Sequence, residues 1–193
     1  MSTSTVPAPA APSVAKPRTP TFFETLFNHP AGFWFIFWGE LAERCSYYGM
    51  MSILARFVSE QIIISEGVKG LGDASSNTWV SMFKAACYFL PIAGGILADQ
   101  FLGKYRLIVI FSIPYILGHI ILADEGYWLS IVALGLLAMG SGVIKPNIST
   151  LMGMTYDQKR PGNEQLRSMA FGMFYMAINI GAAISYAVLP GIR

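Results

Sequence analysis

The sequence predicts an all-α membrane protein, a helical bundle of about five spanning segments. Three observations carry that prediction. Apolar residues make up 54% of the 193 residues and charged residues only 12%, where a water-soluble domain carries about a quarter charged. Mean hydropathy is +0.51. The charges are bunched, and they leave long stretches with almost none, each near the roughly 20 residues needed to cross a bilayer. The formal net charge is only +2, and no basic stripe interleaves with aromatics, so nucleic acid is not an expected partner. Cys45 and Cys87 fall inside apolar stretches and read as packing residues, not as a disulfide or metal pair.

Residues 1–20 are rich in Ala, Pro, Ser and Thr and hold no apolar h-region. They read as a disordered cytoplasmic tail, not a cleavable signal peptide. Thr21 to Glu24 fits a capping box, and Phe23, Leu26 and Phe27 supply an apolar face. A short interfacial helix over 21–30 follows from that pattern. The N-terminal transmembrane bundle then covers 31–193, with spans near 32–64, 78–98, 107–123, 127–152 and 169–189. The first exceeds the required length and is expected to tilt or project. Short loops decide direction. With the N-terminus inside, Lys16, Arg18, Lys104, Arg106, Lys159, Arg160 and Arg167 are cytoplasmic, against Lys69 and Arg193 outside. The external connections are then 65–77 and the turn Asp124 to Gly126.

An ionisable residue inside a bilayer is costly unless it faces protein or water, so it is a functional candidate. Span one holds Glu40, Glu43 and Arg44, then Tyr47 and Tyr48. Their helical spacing places all five on one face. Two carboxylates beside one guanidinium can exchange partners as a proton arrives or leaves, which suits coupling of proton movement to a shape change. The plainer alternative is an ion-pair cluster that fixes helix packing.

Lys145 lies well inside span four, between Gly140-Ser141-Gly142 and Pro146-Asn147. The glycines permit close helix approach, and snorkelling from that depth would be strained. The reading favoured is a cavity-facing lysine that binds an anionic substrate group or pairs with a carboxylate. The sequon at Asn147 to Ser149 lies at membrane depth and is read as a chance match. Span five places Tyr175 and Asn179 one turn apart beside Gly181, which suits either interhelical hydrogen bonding or substrate contact. Arg56 is expected to snorkel outward, while Lys84 could pair with a carboxylate or face the cavity. The loop after span two carries Gly95, Asp99, Gly103, Lys104 and Arg106. Such a turn can latch one state of a rocking transporter by bonds across helix ends, or be an ordinary polar loop.

These segments together resemble the proton-dependent oligopeptide transporter family, a branch of the major facilitator superfamily. Glu40-Leu41-Ala42-Glu43-Arg44 with Tyr47-Tyr48 looks like the family's ExxER motif and tyrosine pair. Residues Gly95 to Arg106 look like the superfamily's gating loop, and Gly140 to Ser149 is similar to the fourth-helix signature. Phe174 to Gly181 is similar to the fifth-helix signature. The resemblance implies a major-facilitator-type fold and proton-coupled symport of di- and tripeptides. It assigns proton coupling to Glu40, Glu43 and Arg44 with Lys145 as switching partner. Tyr47, Tyr48 and Asn179 would line the peptide site by the same resemblance, and the residues themselves add Lys145 and Tyr175 as candidate substrate contacts. A plasma or bacterial inner membrane is the implied location, with the lipid bilayer, protons and a small peptide as partners.

Two departures stand out. Met51 occupies the place where peptide-carrying members usually have an arginine, and Lys84 stands where they usually have an uncharged residue. Either Lys84 or Lys145 is expected to supply the lost charge, unless substrate preference has shifted. Family members have about twelve spans in two bundles with the site between them, so the chain is expected to be incomplete and to need a missing C-terminal transmembrane bundle. The alternatives are a same-superfamily symporter of nitrate or another small anion, or a non-transport helical membrane subunit. The only histidines are His29 and His119, and no HExxH or GxSxG pattern occurs, so no enzyme, metal or cofactor is expected.

Overall fold

The computed structural model describes residues 22–66, 71–124 and 126–188. The 1–20 tail, Thr21, Lys69 and Arg193 lie outside the described residues. The elements in order are α1 (Phe22–Phe27), α2 (Ala31–Glu66), α3 (Leu71–Leu97), a π-helical turn (Ala98–Leu102), α4 (Lys104–Leu122), α5 (Tyr127–Lys159) and α6 (Glu164–Val188). Four stretches, Ala74–Leu102, Lys104–Leu122, Tyr127–Lys159 and Glu164–Val188, are long and apolar enough to cross a membrane. α2 is the longest helix at 36 residues and is the one that carries Glu40, Glu43 and Arg44.

The helices run past the apolar windows from which spans are read. α3 begins at Leu71, so residues 71–77 of the expected external connection are helical, and α5 continues to Lys159. The backbone ladder has no reason to stop at the hydrocarbon boundary, because apolar length reports only what the bilayer requires. Pro91, Pro114 and Pro146 sit inside helices without ending them, as bundle-packed membrane helices allow. α6 starts on a side-chain cap, where Asn163 Oδ1 accepts a hydrogen bond from the Leu166 amide at 3.0 Å. Glu164 in the first turn adds favourable charge at the helix N-terminus.

The two larger apolar clusters among the described residues are both built around α2 and α5. One gathers Met50, Leu54 and Val58 of α2 with Val80 and Phe83 of α3, Tyr115 of α4 and Leu134 and Leu137 of α5. The other gathers Phe33 and Phe37 of α2 with Met152 and Tyr156 of α5 and Ala170 and Phe174 of α6. Along α2, Glu40, Glu43 and Arg44 fall between the two clusters.

Helix backbones approach closely at several glycines, among them Gly140 and Gly181. A Cβ on Gly140 of α5 would stand 2.5 Å from Tyr115 Cβ and 2.8 Å from Tyr115 Cα of α4. A Cβ on Gly181 of α6 would stand 2.8 Å from Arg44 Cβ and 3.0 Å from the Leu41 carbonyl oxygen of α2. Small residues at such crossings are what membrane helices use to pack.

The corner between α1 and α2 is tied to the end of α5. His29 is buried, with its ring stacked 4.4 Å from Phe33 and its Nδ1 bonded to the Tyr156 hydroxyl. Arg160 Nη2 reaches the Asn28 carbonyl at 3.3 Å. Burial pushes the His29 pKa below its ordinary 6.5, so the folded state favours the neutral ring. The unfolded chain then binds the proton more readily, and stability rises with pH through that window. The contribution of His29 is full above about pH 6.5 and is lost as pH falls toward the lower folded value. Melting of purified protein should therefore shift down between pH 7.5 and pH 5.5, and the shift should shrink in His29→Phe. An equal shift in both proteins would remove His29 as its source.

Candidate functional site

The site grows from one face of α2. Arg44 Nε donates to Glu40 Oε1 at 2.6 Å, one turn back along the helix. The same nitrogen lies 3.1 Å from Glu43 Oε2 in a charge contact without hydrogen-bond alignment. All three residues are buried, Glu40 to 1% exposure. In surroundings of that kind a charge is tolerable only with its partner present, and removing one member of such a pair costs about 3–5 kcal/mol. Among the described residues, neither Glu40 Oε2 nor Glu43 Oε2 has a hydrogen-bond partner, which leaves one oxygen of each carboxylate open to a proton.

α5 meets this face with two side chains one turn apart. Ser141 Oγ donates to Glu43 Oε1 at 3.1 Å. Lys145 Nζ sits 3.1 Å from the centroid of the Tyr47 ring, a cation–π contact. Glu43 and Tyr47 are i and i+4 on α2, and Ser141 and Lys145 are i and i+4 on α5, so the contacts form two rungs between the helices. Lys145 is thus placed beside the cluster on an aromatic face, not in an ion pair with either carboxylate.

Two further elements hold the cluster from behind. Tyr115 of α4 is buried with its hydroxyl 2.6 Å from Ser46 Oγ and 3.4 Å from the Glu43 carbonyl oxygen. On α6, Ser185 Oγ donates to the Cys45 carbonyl at 2.7 Å. Together with the close approach of Gly181, these contacts fix the α2 segment that carries the charges.

The cluster borders a cavity of about 610 Å³ whose wall includes Arg44, Tyr47, Tyr48, Met51, Lys84 and Lys145. Tyr47 and Tyr48 pack edge to face at 5.5 Å. Tyr88 of α3 and Tyr186 of α6 also line the wall, and Tyr186 lies 5.8 Å from Tyr48. The sequence gives no sign that Ser141, Tyr115, Tyr88 and Tyr186 belong to the site. None breaks the apolar pattern with a charge, and only the helix register across the bundle brings them there.

Tyr175 and Asn179 are placed differently. Asn179 Nδ2 donates to the Tyr175 carbonyl at 2.8 Å, and both residues are exposed on α6 and are not among those that line this cavity. Asn147, the sequon residue, is 1% exposed and donates to the Val143 carbonyl at 2.7 Å. Arg56 is exposed and pairs with Glu60 at 2.9 Å. Cys45 and Cys87 are free thiols.

The loop after α3 is a compact charge-bonded turn. Ala98–Leu102 winds as a π-helix, closed by the Gly103 amide bonding to the Ala98 carbonyl at 2.9 Å. Gly103 adopts φ 76°, a region that disfavours side chains. Lys104 Nζ reaches back to Asp99 Oδ1 at 2.5 Å across the turn. Arg106 is exposed, and Gly95 has open space where a Cβ would stand. Its neighbour Gly94 is the close-packed residue, with Val143 of α5 3.0 Å from a built Cβ.

Comparison with known proteins bears on the fold and the family. The family profile described as "PTR2: POT family" matches residues 105–193. The chain is 34% identical over 195 residues to mouse solute carrier family 15 member 2, covering 96% of this chain and 25% of that protein. It is 34% identical over 188 residues to human solute carrier family 15 member 1, covering 88% of this chain and 25% of that protein. The chain thus spans about a quarter of the length of these relatives. A crystal structure of an auto-inhibited POT family peptide transporter superimposes with TM-score 0.76 at 35% identity, over 83% of this chain and 31% of that one. A POT family transporter in complex with 5-aminolevulinic acid superimposes with TM-score 0.72 at 31% identity, over 84% of this chain and 32% of that one. The chain is therefore an integral membrane protein with part of the fold of these transporters, and it belongs to the POT family, the proton-dependent oligopeptide transporters.

Proposed function

We propose that the chain is the N-terminal part of a proton-coupled symporter of di- and tripeptides. The observation that carries this reading is the buried Glu40–Arg44–Glu43 cluster set against a cavity walled by tyrosines and lysines. Titration in the cluster is sensed at the cavity wall, because Arg44 belongs to both. When one carboxylate takes a proton, Arg44 loses part of its countercharge and the wall becomes more positive. An anionic group of the substrate is then better held, and Lys145 can leave the Tyr47 ring to take the place of the proton when it departs. Glu40, Glu43, Arg44 and Lys145 are the coupling residues in this scheme, and Tyr47, Tyr48 and Lys145 are substrate contacts. Tyr175 and Asn179 contribute from the exposed face of α6, toward the second bundle with which the site would be completed. The Asp99–Lys104 turn latches one state of the rocking motion. The excess of Lys and Arg over the alternate loops supports a cytoplasmic N-terminus in a plasma or bacterial inner membrane.

The test is uptake by the full-length native protein in liposomes, with labelled dipeptide and labelled nitrate offered in parallel. Dipeptide accumulation driven by an inward proton gradient, with nitrate excluded, is the expected result. Nitrate accumulation without peptide transport would overturn the assignment.

A further inference from the structure

Among the described residues, three cations line the 610 Å³ cavity, namely Arg44, Lys84 and Lys145, and no carboxylate does. Two of them are already satisfied. Arg44 is held by Glu40 and Glu43 at 2.6 and 3.1 Å, and Lys145 lies on the Tyr47 ring at 3.1 Å. Lys84, on α3, is exposed and has neither an acidic nor an aromatic partner among the described residues. Counting the two buried carboxylates, three cations face two anions among the described residues, so one positive charge has no partner there. Met51, on the same wall, offers only an uncharged thioether.

A lysine within a membrane-crossing helix is unfavourable unless it faces water or protein. Lys84 lines the cavity wall, and with no carboxylate on that wall among the described residues it is a ready anchor for an anion. We infer that Lys84 is a specificity-determining residue of the site and binds a carboxylate of the substrate. This rests on the peptide-transport reading above. The shared chemistry is a carboxylate, supplied by the peptide C-terminus or by an acidic side chain. The neighbouring tyrosines of the wall, Tyr48 and Tyr88, offer hydroxyls but no competing charge.

Binding of Ala-Gln, Ala-Glu and Ala-Gln amide to the full-length native protein tests this, measured with wild type, Lys84→Met and Lys84→Arg. A charge-assisted bond of ordinary strength predicts that Lys84→Met raises the apparent Kd of carboxylate-bearing peptides about tenfold. Lys84→Arg should restore most of that affinity. The amide should bind both Lys84→Met and wild type alike, at whatever strength it binds. Equal weakening of Ala-Gln and Ala-Glu identifies the terminal carboxylate, and weakening confined to Ala-Glu identifies the side chain. Unchanged binding of all three peptides to folded Lys84→Met would overturn the inference, as would equal weakening that includes the amide. Wild-type protein that binds none of the three would sink the peptide reading itself, and this inference with it.

Discussion

Glu43→Gln should abolish gradient-driven peptide uptake while leaving peptide exchange across the membrane in place. The substitution keeps the shape of the side chain and a carbonyl oxygen for Ser141, whose bond to Glu43 Oε1 is 3.1 Å long. It removes the charge that faces Arg44 and the site where a proton could reside. The cluster would then stay in its protonated-like form, with Arg44 held by Glu40 alone. Substrate binding needs no proton turnover and should persist, whereas coupling should be lost. A fall of about 100-fold in proton-driven uptake is expected, at the strong end of energetic coupling between sites. Paired measurement of gradient-driven uptake and of exchange at equal internal and external pH separates the two. If both fell together, Glu43 would be a packing residue, as in the alternative reading of the cluster.

Gly140→Ala should destabilise the bundle, because it places a methyl group where two helix backbones meet. The added Cβ would fall 2.5 to 2.9 Å from Tyr115 Cβ, Cα and N. Two of those atoms are backbone, so no side-chain rotation relieves the clash, and α4 must move away from α5. Overpacking of this kind costs about 1–3 kcal/mol. The same movement would draw the Tyr115 hydroxyl off Ser46 and the Glu43 carbonyl, so uptake should fall along with the melting temperature. Gly135→Ala is the control, because a Cβ there meets nothing within 4 Å, and loss of helical glycine should leave it neutral or slightly stabilising. Thermal melts of the two variants in detergent decide the point. Equal melting temperatures would mean that the α4–α5 contact is looser than the structure places it.

Much of the site is legible in the sequence, and the reason is the bilayer. In an apolar helix Glu40, Glu43, Arg44 and Lys145 are conspicuous because each carries a cost that only a function or a partner offsets. The spacing of Glu40, Glu43, Arg44, Tyr47 and Tyr48 needs only the helical period to put them on one face, and the structure has them together. What the sequence hides depends on register between helices. Ser141 and Tyr115 are ordinary residues in apolar runs, and nothing local says that one touches Glu43 and the other Ser46. Lys145 illustrates the same limit. Its charge announces a partner, but only the α2–α5 register selects the Tyr47 ring over a carboxylate. Apolar patterning understates helix length at Leu71 and Lys159, because polar residues outside the bilayer continue a helix without adding to its apolar signal.

Proton movement and peptide movement are one event in this scheme, and that is its central claim. It is tested most directly by trapping a pH-sensitive dye in liposomes that contain the full-length native protein, with equal pH on both sides at the start. External dipeptide is then added with the membrane potential clamped. The predicted result is internal acidification that begins with peptide entry, scales with peptide concentration and disappears in Glu43→Gln. Peptide entry with no change in internal pH would contradict it.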